Sequence, residues 1–183
     1  MKSVEGIILK KTSRREADLA IKLYTKEHGL MEFTAKGARK QEAKLKPGLD
    51  IFNHIDLFYV PAKHLPIATD FKIKNDFKNI KNNLFRLKLA YFASGALLKI
   101  FEPGLGEPRV WQKILDFFTG LENSPSNKEE LVETTYFWCH DILVLNGLDP
   151  NSPDFKPINA AQLKKNTEEL FLHHFGISIS KLI

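Results

Sequence analysis

Residues 36–46, KGARKQEAKLK, set five cations (Lys36, Arg39, Lys40, Lys44 and Lys46) against one acid, Glu42. Earlier in the chain, Lys10-Lys11 and Arg14-Arg15 form a second cluster. Ammonium and guanidinium groups at this density suit a phosphate backbone. Each neutralised phosphate releases condensed counterions, so binding weakens with salt and is largely indifferent to base sequence. Gly37 lets the main chain come close to a ligand. A solvated loop is the alternative for either cluster taken alone. Two clusters in one small fold favour a polyanion.

Other chemistry is poorly supplied. The histidines are scattered, and the one adjacent pair, His173-His174, diverges on a helix, as do His140 and Asp141. No G-x-S-x-G or phosphate-loop pattern is present. The single Cys139, beside Trp138, excludes a disulfide framework and a multi-cysteine zinc site, and reads as a buried thiol. A non-catalytic protein with no catalytic residues, metal or cofactor is therefore expected. Base stacking also looks secondary. Alternation puts Phe33 in a core with Met31. It puts Phe52 and Phe58 on an outer face with His54 and Asp56, to pack on the second half of the chain.

The charge has a direction along the chain. The net charge of +5 divides into 17 Lys/Arg against 10 Asp/Glu over residues 1–83, and 10 against 12 over residues 84–183. The N-terminal part is thus +7 and the remainder −2, which suggests different tasks for the two halves. With 43% hydrophobic and 27% charged residues in 183, the chain can bury real cores. No apolar run approaches the roughly 20 residues of a membrane span. Ile7-Ile8-Leu9 meets Lys10-Lys11 too soon to be a secretory segment. A cytoplasmic, reducing setting is expected.

Five strands must position the cations. Period-two alternation runs through residues 19–26, 31–36, 51–59 and 67–74, with the turn His28-Gly29 making a hairpin and Pro61 ending the fourth strand. Residues 4–11 make a first strand, with Gly6 as a bulge or bend. So few short strands need closure to hide their edges. A five-stranded Greek-key barrel of the OB type fits, and an SH3-like barrel fits the count nearly as well. Lys10 to Arg15 then fall in the loop after the first strand. Residues 36–46 run into a mobile loop before the fourth.

The second half has helical rhythm. Ile80, Leu84, Leu87, Tyr91, Leu98 and Phe101 form one series, broken at Ser94-Gly95 and stopped by Pro103-Gly104. Pro108 opens a second helix. Ser126 to Glu129 is a capping box for a third, which Gly147 ends. Residues 149–157 are a proline-rich connector. Asn159 caps a last helix with Leu163, Leu170, Phe171 and His174 inward and Gly176 at its end. The expected fold is α+β, an OB-fold β-barrel over residues 1–78 and an all-α helical domain over 79–183.

Four pieces of this sequence, in register, resemble the opening of the RecO recombination mediator family. They are Glu5-Gly6-Ile7-Ile8-Leu9-Lys10, Glu16-Ala17-Asp18, Leu23-Tyr24-Thr25-Lys26-Glu27-His28-Gly29 and Lys36-Gly37-Ala38-Arg39-Lys40. Residues 169–176, ELFLHHFG, resemble the family's closing helix. Many members carry a four-cysteine zinc module after a G-x-x-P helix end. Here Gly147-Leu148-Asp149-Pro150 is followed by a short connector, so a minimal form without zinc is expected. The resemblance implies a DNA-repair protein that binds single- and double-stranded DNA and anneals complementary strands. It also implies contacts with RecR and the acidic C-terminal tail of single-strand-binding protein, assistance in RecA loading, and a nucleoid-associated location. By position, Lys36, Arg39 and Lys40 match the family's DNA-binding stretch. Arg109, Trp111 and Lys113 offer a candidate partner surface of cation plus apolar side chain. An adaptor whose helical half does the main work is the alternative function.

Overall fold

A computed structural model describes residues 1–104, 106–124, 127–149 and 160–182. They fall into two compact units. One is residues 1–78 with 101–111, and the other is residues 79–100 with 112–183.

The first unit is a closed barrel of β1 (Lys2–Arg14), β2 (Asp18–Thr25), β3 (Gly29–Ala35), β4 (His54–Val60) and β5 (Ile67–Asn75). The order around it is β1-β2-β3-β5-β4, with β4 returning to β1. All pairs are antiparallel except β3 with β5, where Thr34 faces Ile67. This is the Greek-key order of the OB-fold. Val4, Ile8, Ile21, Leu23, Phe33, Ile55, Leu57 and Tyr59 fill the interior.

β1 is longer than its hydrophobic pattern suggests. It pairs with β4 over Lys2–Ile7 and with β2 as far as Arg14 opposite Asp18. Lys10, Lys11 and Arg14 are therefore strand residues rather than loop residues. The register slips between Ile8 and Lys10, so the bulge is there and not at Gly6. One extra residue bends the strand enough to serve both neighbours. Gly6 has another use: a Cβ on it would sit 2.8 Å from the Tyr24 carbonyl oxygen.

Two further expectations are corrected in this unit. The fourth strand begins at His54, because Phe52 takes a left-handed φ of 67° and breaks the alternation. Phe52 is fully buried, and its amide donates to the Ile8 carbonyl at 2.8 Å. Residues 36–49 are not a free loop, since Ala38, Leu45 and Leu49 plug the barrel core. The outer face also carries a buried row, Leu30–Tyr24–Ile7–His54, read across four strands. Residues from the 101–111 segment cover it. Phe101 meets Tyr24 edge-on at 5.5 Å, and Trp111 meets His54 at 5.6 Å. The Gly104 amide donates to the Leu30 carbonyl.

The helices are α1 (Lys78–Asn82), α2 (Leu84–Ile100), α3 (Pro108–Asn123), α4 (Lys128–Leu145) and α5 (Ala160–Phe175), with a short 3-10 turn at Ser180–Leu182. α2 runs straight through Ser94-Gly95. It buries Leu89, Ala90, Ala93, Ala96 and Leu97, while Leu84 and Tyr91, expected inward, are exposed. Three alanines together with Leu89 and Leu97 mark its packed face. Asn127 rather than Ser126 caps α4, accepting from the Glu129 amide at 3.0 Å; Ser126 itself, the expected cap Asn159 and nearly all of the connector lie outside the described residues. Gly147 takes a left-handed φ after α4. In α5, Leu170 and Phe171 are buried, but His174 faces solvent. Arg86, buried on α2, donates to the carbonyls of Leu121, Glu122 and Ser124, closing the C-terminal end of α3.

Candidate nucleic-acid interface

The β1–β2 turn and the segment after β3 are tied together by main-chain and carboxylate hydrogen bonds. The Gly37 amide donates to Asp18 Oδ1 at 2.8 Å, and the Arg39 amide donates to the Ala17 carbonyl at 2.9 Å. Gly37 has a left-handed φ of 65°, a conformation glycine adopts without steric penalty. The Arg39 guanidinium reaches back to the carbonyls of Arg15 and Glu16, at 3.4 and 3.1 Å. Arg15 itself turns at φ 53° and is exposed. Lys40 lays its methylenes beside Gly37, 3.9 Å from where a side chain would start. The two halves of the basic sequence therefore meet at one end of the barrel.

A depression of about 370 Å³ opens there. Arg14 lines it from the end of β1, Arg15 from the turn that follows, Lys36 from just past β3, and Lys63 and His64 from the β4–β5 connection. Asp18 contributes one acid, and Thr34, Leu65 and Ile67 form less polar walls. The first and fourth connections of a five-stranded OB barrel border its usual oligonucleotide site, and here both carry cations. The walls include no Phe, Tyr or Trp, so charge rather than ring stacking dominates the site.

Not every basic residue joins this end. Lys11 faces Asp50 at 3.1 Å, and Lys44 faces Asp70 at 3.1 Å. The Lys44 ammonium, with the Phe71 amide, holds the Asp70 carboxyl below its ordinary range. Lys46 follows on a turn closed by its amide to the Ala43 carbonyl. Lys10 lies on β1, directly across from Lys22. The geometry thus gathers Arg14, Arg15, Lys36, Arg39 and Lys40, while Lys11 and Lys44 are engaged in ion pairs of their own. Lys63 and His64 were missed because they stand alone in the sequence, between Pro61 and Pro66. The available signal was the OB connectivity itself, which makes the β4–β5 connection a wall of the site.

Of the candidate partner residues near the start of α3, Arg109 and Lys113 keep solvent-exposed side chains and Trp111 does not. Trp111 is buried against His54. Arg109 folds onto Glu107 at 2.6 Å. Lys113 faces Asp141 at 2.7 Å, and that hydrogen bond raises its ammonium above the ordinary lysine value.

A second ionic group on the barrel is structural. Glu5, mostly buried, accepts from His54 Nε2 at 2.9 Å and from Lys74 at 2.9 Å, and Lys74 also reaches Asp56 at 3.2 Å. Burial pushes the Glu5 carboxyl up, but the hydrogen bonds from Lys74 and His54 outweigh it and the net shift is down. Burial lowers His54 more than Glu5 raises it. Cys139 is buried, and burial pushes its thiol well above the ordinary value. Among the described residues, no three His, Cys, Asp or Glu side chains are placed to share a metal ion. Among the same residues, no helix is long and apolar enough to cross a membrane.

Comparison with known proteins agrees with the resemblance read from the motifs. Residues 1–77 match the family model described as recombination protein O N terminal. The chain is 28% identical over 145 residues to a protein of Dehalococcoides mccartyi named DNA repair protein RecO, covering 79% of this chain and 56% of that one. A protein of the same name from Syntrophomonas wolfei is 25% identical over 122 residues, covering 67% and 49%. One from Listeria monocytogenes is 25% identical over 112 residues, covering 61% and 44%. The chain spans about half the length of these curated relatives.

Proposed function

We propose, on the premise that residues 1–77 belong to the recombination protein O N-terminal family, that the chain is a non-catalytic DNA-repair and recombination mediator. It binds single- and double-stranded DNA at the basic end of the barrel and anneals complementary strands. By the same reading it assists RecA loading with RecR on DNA coated by single-strand-binding protein, whose acidic tail it contacts, and it works in the cytoplasm at the nucleoid. The observation that carries the reading is the depression where Arg14, Arg15, Lys36, Lys63 and His64 converge from three connections.

Annealing needs two polyanions brought side by side. Cations that screen the phosphates of one strand lower the repulsion met by the second, and they do so without reading bases. The test is a fluorescence strand-annealing assay over a salt series. Annealing is expected to weaken steeply with salt, and Arg15→Ala with Lys36→Ala should flatten that dependence for all sequences alike. Unchanged binding and annealing in that variant would reject the interface. The adaptor reading draws on the exposed Leu84, Tyr91, Phe137, Val144 and Leu172 of the helical unit. It is preferred if the full chain captures a protein partner but no DNA.

A further inference from the structure

β1 ends at Arg14 and β2 begins at Asp18, so the connection between them is Arg15, Glu16 and Ala17. All three of its carbonyls accept from one residue. The Arg39 amide donates to Ala17 at 2.9 Å, and Arg39 Nη1 donates to Arg15 and Glu16 at 3.4 and 3.1 Å. Arg15 turns at φ 53°, a conformation that L side chains seldom adopt and that persists only where neighbours over-determine it. Its side chain is exposed and lines the depression, whereas Arg39 is not among the described walls. Counted along the sequence, Arg39 is one more cation for phosphate. In the fold its guanidinium is committed to the turn that carries Arg15.

We infer that Arg39 is a positioning residue. It sets the β1–β2 turn so that Arg15 faces the depression, and it does not itself bind phosphate. The inference rests on the nucleic-acid reading of the depression and gives this residue a different part in it from the one its charge suggests. A guanidinium suits the task, because its planar fork of donors holds neighbouring oxygens in a fixed geometry, which a single ammonium does not. A cation fixed in advance also loses less conformational freedom when the ligand arrives, so the turn raises affinity without adding a contact. The two roles leave different traces. A phosphate contact adds to the salt dependence of binding. Positioning changes affinity at every salt concentration and acts only through Arg15, so the two residues are energetically coupled.

The experiment measures binding of a fluorescein-labelled oligothymidylate of about 16 nucleotides to the full chain over a salt series, with limited trypsin digestion of the free protein alongside. Arg39→Ala should weaken binding and keep the slope of log K against log salt, where loss of a direct contact lowers it by about 0.7. Arg39→Ala combined with Arg15→Ala should bind as Arg15→Ala alone does, to within about twofold, where independent contacts multiply their losses. Arg39→Lys keeps the charge and should recover little of the affinity. Cleavage after Arg15, located by mass spectrometry, should accelerate in Arg39→Ala while cleavage within the helices does not. Thermal melting confirms that each variant is folded. A slope lowered by about 0.7, losses that multiply, or full recovery in Arg39→Lys makes Arg39 a phosphate contact, which overturns the inference and leaves the depression standing. Unchanged cleavage at the turn overturns it as well, as does parental affinity in Arg39→Ala while Arg15→Ala is damaging. Silence of Arg15→Ala, Lys36→Ala and Arg39→Ala in binding overturns the inference and the nucleic-acid reading together.

Discussion

Asp18 Oδ1 accepts the Gly37 amide at 2.8 Å, joining the start of β2 to the residue after Lys36, just past β3. This one bond, with the neighbouring Arg39-to-Ala17 contact, determines that two basic segments separated by some twenty residues share a surface. Asp18 also faces the depression, so its carboxylate both builds the site and opposes an anionic ligand. The two roles separate on substitution.

Asp18→Asn retains an oxygen acceptor for Gly37 and removes the negative charge, so DNA affinity should rise with little change in stability. Asp18→Ala removes the acceptor as well. It should cost about 1 kcal/mol of stability and accelerate hydrogen exchange at the Gly37 amide. Equal exchange rates at Gly37 in the two variants would show that the carboxylate does not hold the segment.

Lys63 and His64 add charge to the depression from the β4–β5 connection. Lys63→Ala is expected to lower the salt slope of single-strand binding by about 0.7, one phosphate contact, whereas Lys44→Ala, whose partner is Asp70, should change it far less. Filter binding or anisotropy across a salt series decides between these positions.

Arg86 closes α3 from within the helical unit, donating to three carbonyls while almost fully buried. Arg86→Met leaves those acceptors without their guanidinium donor and should destabilise the protein by about 3 kcal/mol or more. Lys at this position should recover only part, because one ammonium does not reproduce the planar fork. Chemical denaturation monitored through Trp138 reads the difference.

Acid should weaken the barrel before the carboxylates titrate. In the folded chain burial holds His54 below the ordinary value of 6.5. The unfolded chain therefore takes up the proton first as the pH drops below that value, and folded stability declines. Glu5 acts in the same direction lower down. Its folded carboxyl is depressed below 4.5 by Lys74 and His54 against the cost of burial, so the stability it contributes is present above 4.5 and is lost as pH falls toward its folded value. Melting temperature between pH 7.5 and 5.5 should fall in the parent and flatten in His54→Gln. A variant that loses as much as the parent would assign the acid sensitivity to other groups.

The strands were legible where one face is buried and the other wet, as in Leu19–Lys26, because period-two alternation is a local consequence of the pleat. It misled wherever the outer face was covered too. Tyr24, Ile7 and His54 look outward by alternation and are outward, yet they are buried by residues around 101–111, a contact the local pattern does not encode. At Phe52 the alternation begins in the sequence before the backbone, at φ 67°, has entered β4. On α2 the three-four rhythm through Leu84 and Tyr91 selected the wrong stripe, since the packed face there presents Ala90, Ala93 and Ala96 with Leu89 and Leu97.

By itself the sequence determined the excess of cations in the N-terminal half, the barrel-then-helices order, and the motifs shared with RecO proteins. These follow from composition and from patterns repeated every two to four residues. Which cations meet was decided only in three dimensions. Cross-strand register paired Lys10 with Lys22, a carboxylate drew Gly37 onto the β1–β2 turn, and barrel closure brought Lys63 and His64 to Arg14. Register and closure depend on contacts between residues tens of positions apart, and the energy that fixes them is core packing, to which the surface charges contribute little.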